Sequence, residues 1–269
     1  MYKLSEIYVY PVKSLGGIKL NSAEVQLRGL KFDRRWMIVD ENNIFLTQRR
    51  IPSMALIRTE ITGNRIKLTH KSKNISSLYL TTGLYSDKQT LVQIFNNNVP
   101  AHFVSDDADK WLTETLGVKC RLVFMSGSDI RLINPKYAKQ NETVSFADGF
   151  PFLIIGQPSM DLLNSKLPQK ISVNRFRSNF VFSGGEAHDE DKWKKIKIGE
   201  INFEVVKPCA RCVITTVNQN NGRKGKEPLA TLSLYRKVGN KILFGQNMLT
   251  ENTGVISTGD KIEILEFNE

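Results

Sequence analysis

Short stretches in which apolar and polar residues alternate dominate positions 1–105 of the chain. A period of two residues is typical of strands that bury one face. Clusters rich in asparagine, glycine and threonine, which favour turns, separate these stretches. The predicted strands cover residues 4–10, 36–40, 44–47, 55–61, 65–69, 78–81 and 91–95. So many short strands in succession predict a small barrel or sandwich.

A change of period after residue 105 predicts a helix. Ser105 or one of the two aspartates after it would cap the helix, Trp111 and Leu112 would lie on its apolar face, and Gly117 would end it. Further strands are predicted at residues 152–155, 179–183, 196–198, 201–206, 213–217 and 262–265, with short helices beginning at Pro158 and Pro228. The predicted fold class is therefore mostly β with some α (α+β). The pattern places the end of the N-terminal β-barrel-like region near residues 117–121.

The charge balance is positive, and we expect most of this charge to form a solvated surface and a few basic residues to face one anionic ligand. The 269 residues include 38 Lys and Arg against 27 Asp and Glu, a formal charge of +11. An excess of positive charge is compatible with binding to nucleic acid, to an anionic surface or to an anionic small molecule. The basic residues stand in short, dispersed clusters without an aromatic RNA-binding signature, which favours a small molecule and no nucleic acid.

Other features of the composition bear on the compartment. No apolar run approaches the roughly 20 residues of a membrane span, so we expect no membrane partner. The first residues lack the basic start and apolar core of a signal peptide. Three cysteines cannot form an even disulfide framework, as is usual in a reducing compartment. We therefore expect a cytoplasmic protein.

The stretch KPCARCVITTV, residues 207–217, holds two of the three cysteines as C-x-x-C. A structural zinc site needs four ligands, and the remaining candidates, Cys120 and three histidines, show no ligand-like spacing. A redox disulfide of this spacing usually opens a helix, whereas the β-branched run that follows predicts a strand. Four-cysteine iron–sulfur clusters are excluded by the cysteine count. Two buried thiols, or a single thiolate that ligates a soft metal, remain as alternatives.

Eight segments in order resemble a known family. They read YPVKSLGGI, LKFDRRWMIVD, FLTQRRIPSMALI, FADGFPFLII, VNRFRSNFVFSG, EDKWKKIKIG, PCARCVITTV and LFGQNM. The set is similar to the MOSC family, named for the molybdenum cofactor sulfurase C-terminal domain, and in particular to its amidoxime-reducing branch. The resemblance covers essentially the whole chain. It implies that residues 1–119 are the MOSC-associated N-terminal barrel and that residues 120–269 are the MOSC domain, a β-barrel domain with short helices.

The resemblance implies a molybdenum–molybdopterin cofactor, in which a pyranopterin dithiolene holds the metal. It makes Cys212 the metal ligand and the catalytic residue, and it gives Cys209 no role. Basic side chains would bind the pterin phosphate through charge-assisted hydrogen bonds. The implied cofactor-binding residues are Lys13, Ser14, Arg34, Arg177, Asn179, Arg211 and Asn247.

The implied activity is two-electron reduction of small N-hydroxylated compounds. Electrons would come from a separate flavodoxin- or ferredoxin-like protein, because the chain has no cluster motif and no flavin or dinucleotide glycine motif. Gly149, Phe150 and Asn247 depart from the animal reductases, so substrate preference does not transfer. Two other hypotheses stay open: a cofactor carrier or sulfur-transfer module without turnover, and a basic barrel that binds nucleic acid.

Overall fold

The structure is a computed structural model that describes residues 1–268. Over these residues the chain forms nineteen strands, three α-helices and four 3₁₀ helices. The predicted class, mostly β with some α, is confirmed. None of the helices in this part of the chain is long and apolar enough to cross a membrane.

The strands are numbered in chain order. They are β1 (Tyr2–Val9), β2 (Ile18–Leu20), β3 (Ser22–Gln26), β4 (Gly29–Leu30), β5 (Trp36–Val39), β6 (Ile57–Thr62), β7 (Arg65–His70), β8 (Leu78–Thr81), β9 (Gln89–Ile94), β10 (Asn97–Phe103), β11 (Arg121–Phe124), β12 (Phe152–Gly156), β13 (Phe180–Ser183), β14 (Trp193–Ile198), β15 (Ile201–Ala210), β16 (Lys237–Val238), β17 (Lys241–Thr250), β18 (Gly254–Ser257) and β19 (Lys261–Phe267). The α-helices are α1 (Asp106–Leu116), α2 (Gln157–Lys166) and α3 (Leu229–Ser233), and the 3₁₀ helices are Pro52–Leu56, Val173–Arg175, Asp189–Lys192 and Val213–Thr216.

A closed barrel is the main sheet of the molecule. Its strands run in the order β12, β13, β1, β19, β14, β15 and β17, and pairing between β12 and β17 closes the ring. Closure removes the exposed strand edges that an open sheet would present. Inward residues of alternate strands fill the interior, and Phe152, Phe180, Phe203 and Trp193 are among its fully buried side chains. The mouth of this barrel carries the candidate site.

Two smaller antiparallel sheets form the region between the barrel segments. One has the order β5, β11, β10 and β9, and the other has the order β6, β7 and β8. The helix α1 contacts β11 and β8, and its Leu112 is buried in the core that these elements share. The Ser105 hydroxyl accepts a hydrogen bond from the Ala108 N–H at 3.2 Å, and Gly117 ends α1 in the left-handed conformation. The predicted helix is confirmed, including its end at Gly117.

The beginning of the chain completes the barrel of its second half. β1 lies between β13 and β19, where Ile7 pairs with Phe180 and Tyr2 pairs with Ile262. β3 pairs with β18. Strands from both sides of the boundary predicted at residues 119 and 120 therefore share sheets, and that boundary stays a prediction.

The strand predicted at residues 213–217 was wrong. Val213–Thr216 is a 3₁₀ helix, and Cys209 lies in β15 instead of preceding a strand. The Thr215 hydroxyl donates to the Cys212 carbonyl at 3.0 Å, and the Thr216 hydroxyl donates to the Val213 carbonyl at 2.8 Å. These local bonds satisfy carbonyls that a strand would offer to a neighbour, so they override the β-branched propensity.

We predict that Phe180→Ala destabilises the protein by about 3–5 kcal/mol, the usual cost of truncating a buried aromatic side chain. Phe180 is fully buried and packs on Phe152 at 5.7 Å and on Phe203 at 5.6 Å between ring centroids. The matched control is Phe267→Ala in β19, whose side chain is 57% exposed. Urea denaturation measures both variants, and equal losses would contradict this account of the barrel core.

Candidate cofactor and metal site

One cavity, here called the cationic cavity, collects every residue that the sequence assigned to the site. It opens where β12, β15 and β17 meet the loop that follows β1. Asp148, Arg175 and Cys209 also line it. The predicted residues that line it are Lys13, Ser14, Arg34, Arg177, Asn179, Arg211, Cys212 and Asn247. The fold therefore places them together, whereas their chemical roles stay predictions.

Three of these residues are held in the left-handed backbone region. The φ angles are 67° at Ser14, 50° at Arg34 and 54° at Arg177. This region is uncommon for residues other than glycine, and such a conformation costs of order 1–3 kcal/mol unless its surroundings impose it. Strain of this kind clusters at functional sites, and here it occurs at three side chains that line one cavity.

A buried aspartate organises two of the arginines. Asp33 is 1% exposed and accepts a hydrogen bond from the Tyr10 N–H at 2.8 Å. Its other oxygen pairs with Arg34 at 2.5 Å. The guanidinium carbons of Arg34 and Arg177 lie 4.6 and 4.3 Å from the centroid of the Tyr10 ring. Asn179 accepts a hydrogen bond from Arg34 at 3.4 Å, so its predicted supporting role has a geometric basis.

Two buried guanidinium groups keep a donor without a partner. Arg177 donates from Nη1 to the Leu15 carbonyl at 2.6 Å, and Arg211 donates from Nε to the Phe244 carbonyl at 2.7 Å. The Nη2 atom of each is buried and has no hydrogen-bond partner among the described residues. Burial, followed by the like charge of Arg34, lowers the pKa of Arg177 to about 10. Both features favour an anion as the missing partner.

Lys13 and Asp148 form an ion pair at the cavity wall. The Lys13 ammonium donates to the Phe146 carbonyl at 2.7 Å and contacts Asp148 at 2.5 Å, and Arg49 approaches the same carboxylate at 3.3 Å. Burial lowers the pKa of Lys13 to about 8, although Asp148 opposes the shift. Burial alone would raise the pKa of Asp148, but Lys13 and Arg49 outweigh it and hold that pKa well below its usual range.

The charges that line the cationic cavity are strongly unequal. Asp148 is the one acidic residue among the described residues that line it, and the sequence analysis missed this residue although it lies in the FADGF segment. Five basic residues face this single carboxylate, namely Lys13, Arg34, Arg175, Arg177 and Arg211. The residues present therefore fit a phosphate-bearing group, which would meet the two free N–H donors and offset the excess charge.

The two cysteines of the C-x-x-C stretch both line this cavity as half-buried free thiols. Desolvation raises the pKa of the Cys209 thiol, which Arg211 partly opposes. No group of three or more His, Cys, Asp or Glu side chains within residues 1–268 could hold a metal ion. A metal bound by a cysteine here would therefore need ligands from outside the described protein groups.

The chain is a β-barrel protein with a cationic, thiol-bearing cavity at the mouth of the barrel. Comparison with known proteins identifies its family. Residues 1–119 match the MOSC N-terminal beta barrel domain, and residues 141–263 match the MOSC domain. The chain belongs to the MOSC-domain family.

Curated relatives match along nearly the whole chain. Mitochondrial amidoxime-reducing component 1 of Xenopus laevis is 30% identical over 96% of this chain and 81% of its own length. The protein of the same name from Homo sapiens is 27% identical over 97% of this chain and 82% of its own length. The molybdenum cofactor sulfurase of Oryza sativa subsp. japonica is 34% identical over 90% of this chain and 32% of its own length.

The lowered pKa of Lys13 predicts that the cationic cavity loses affinity for a small anion as the pH rises through about 8. Below that pH the ammonium is charged and attracts the anion, whereas above it the amine is neutral. Sulfate is the probe, because its charge is constant in this range. We expect sulfate to raise the melting temperature more at about pH 7 than at about pH 9.

Lys13→Arg is the control for this pH dependence, because a guanidinium stays charged at both pH values. Its sulfate effect should change much less between them. Sulfate effects that are equal at the two pH values in the unaltered protein would show that the charge of Lys13 does not contribute to anion binding.

Proposed function

We propose that this protein is a molybdenum-cofactor oxidoreductase that reduces N-hydroxylated compounds by two electrons. The observation that carries the proposal is the shared cavity: the half-buried Cys212 thiol lies beside two guanidinium groups, each with a buried Nη2 that has no partner among the described residues. The names of the amidoxime-reducing relatives support this reaction class.

Each residue of the cationic cavity that the sequence assigned to the site has a proposed task. Cys212 holds the metal as a thiolate, the form in which cysteine ligates metals. Arg177 and Arg211 direct their free N–H donors to the pterin phosphate, and Lys13 and Arg34 add positive charge. Ser14, Asn179 and Asn247 supply polar contacts. When bound, the molybdenum cofactor supplies the two-electron exchange with the N–O bond.

The overall reaction balances in atoms and electrons. The N–O bond of the N-hydroxyl group breaks, two electrons and two protons enter, and the reduced nitrogen compound and one water leave. A separate flavodoxin- or ferredoxin-like protein is proposed to supply the electrons and to be oxidised. The free thiols of all three cysteines fit a reducing compartment, for which we propose the cytoplasm, with no membrane or nucleic-acid partner.

The match to molybdenum cofactor sulfurases supports a second candidate, a module that carries the cofactor or transfers its sulfur without turnover. The two candidates differ in one measurement. Protein loaded with molybdenum should reduce benzamidoxime with reduced methyl viologen as an artificial donor if the oxidoreductase proposal is right. Loaded protein that reduces no N-hydroxylated compound would favour the carrier.

We predict that Cys212→Ala abolishes most molybdenum retention, whereas Cys209→Ala keeps it. Both thiols line the same cavity, so the two variants remove the same group at neighbouring positions. The measurement is the molybdenum content per protein by elemental analysis, after expression in a host with ample cofactor supply. Equal molybdenum in Cys212→Ala and in the unaltered protein would overturn the ligand assignment.

A further inference from the structure

A second cavity, here called the aromatic cavity, adjoins the cationic cavity. The two share Asp148, Gly149 and Phe150 as lining residues. The aromatic cavity has a volume of about 650 Å³, within the range of roughly 300–1,000 Å³ that is usual for small-molecule sites. The described residues that line it include none of the residues proposed to bind the cofactor. It is therefore a separate space that adjoins the first.

Three aromatic rings, those of Phe95, Tyr137 and Phe150, line part of this cavity. Tyr137 and Phe150 meet edge to face, with ring centroids 5.4 Å apart and an angle of 74° between their planes. Phe95, in the turn between β9 and β10, also lines the cavity and packs on Phe45 at 4.9 Å. Such rings favour a flat aromatic ligand, which can stack or pack edge to face against them.

Lys207 supplies an unmatched positive charge to the same cavity. A register shift between β15 and β17 follows Val205, and bulges of this kind redirect a side chain. The Lys207 ammonium lies 4.8 Å from the centroid of the Tyr137 ring and 6.0 Å from that of Phe150. Within the described part of the chain, no carboxylate lies within ion-pair distance of it.

The other two charged groups of the aromatic cavity have partners, except that the buried Nε of Arg131 has none among the described residues. Arg131 is 6% exposed and donates to the carbonyls of Ser145 and Ala147 at 2.8 and 2.5 Å. The Asp148 carboxylate pairs with Lys13. The Lys207 ammonium has no ion-pair partner among the described residues, so it and the Nε donor of Arg131 favour an anionic group over a cationic one.

Open space adjoins Gly149, which lines both cavities. A Cβ atom built on Gly149 would have no described heavy atom within 4 Å, beyond the adjoining residues. A small group on a ligand in the aromatic cavity therefore has room to reach past Gly149 toward Cys212.

We propose that the aromatic cavity is the substrate subsite and that it selects flat aromatic N-hydroxylated compounds bearing a carboxylate. Lys207 binds the carboxylate, Tyr137 and Phe150 contact the ring, and the N-hydroxyl group extends past Gly149. This inference rests on the proposed function and adds a substrate class to it. Lys207 acts here as a specificity-determining residue.

The kinetic test compares 4-carboxybenzamidoxime with 4-(aminomethyl)benzamidoxime, which place opposite charges at the same position of the ring. Molybdenum-loaded protein is assayed with reduced methyl viologen, and kcat/KM is measured for each compound. We expect the unaltered protein to prefer the carboxylate. Lys207→Gln should lower the ratio of the two kcat/KM values by about tenfold or more, as for loss of a hydrogen bond to a charged group.

Two variants make this test specific. Lys207→Arg keeps the charge and should preserve the preference. Lys136→Gln is the matched control, because the Lys136 ammonium lies 5.9 Å from the same Tyr137 ring but Lys136 does not line the aromatic cavity within the described residues. Its kcat/KM ratio should stay near that of the unaltered protein. A ratio that is the same in Lys207→Gln and in the unaltered protein would overturn the assignment.

An equilibrium measurement separates this inference from the proposed function. Benzoate and benzylamine are titrated into the purified protein and followed by ligand-observed NMR. Benzoate should bind more tightly than benzylamine, and Lys207→Gln should remove the difference. If no amidoxime is reduced, the proposed function fails and the benzoate result alone decides on the subsite. Equal binding of the two probes would overturn it.

Discussion

Burial of several positive side chains around one cavity is the constraint on which the rest of the site depends. Desolvated like charges are unstable unless hydrogen bonds and counter-charges compensate them. Here Asp33 pairs with Arg34, Asp148 pairs with Lys13, and backbone carbonyls accept from Arg177 and from the arginine beside Cys212. The compensation is incomplete, because two buried donors keep no partner among the described residues. An anionic ligand would complete it.

The barrel explains how distant segments meet at this cavity. β1 is hydrogen-bonded to β13, so the loop that follows β1, with Lys13 and Ser14, lies beside the residues that precede β13, Arg177 and Asn179. β15 ends at the cysteine stretch, and its pairing with β17 brings Asn247 to the same mouth. The same pairing carries the bulge that directs Lys207 to the aromatic cavity. The residues proposed to bind the cofactor and the residue proposed to bind the substrate thus depend on one set of strand registers.

Much of the secondary structure could be predicted, because alternation and capping are local. The Ser105 cap and the stop at Gly117 both follow from residue types within α1 and its ends. The conformation of the segment after Cys212 could not be predicted in this way. The hydroxyls of Thr215 and Thr216 form local hydrogen bonds that outweigh the β-strand propensity of these residues. Motif resemblance selected residues that do share one cavity. It did not identify Asp148 or Lys207, because the roles proposed for these two residues depend on which side chains surround them in the fold.

The sequence by itself determined the class of fold, the excess of positive charge and the cysteine stretch, because periodicity, charge count and spacing are properties of the chain. Only the tertiary structure decided which of the dispersed basic residues face one another. It also decided that two of them keep free donors and that Lys207 faces aromatic rings without a carboxylate in the described chain. The physical reason is that the burial and pairing of a charged side chain depend on the neighbours that strand register brings to it. A charged residue therefore becomes part of a binding site only when the fold removes water and counter-charges from around it.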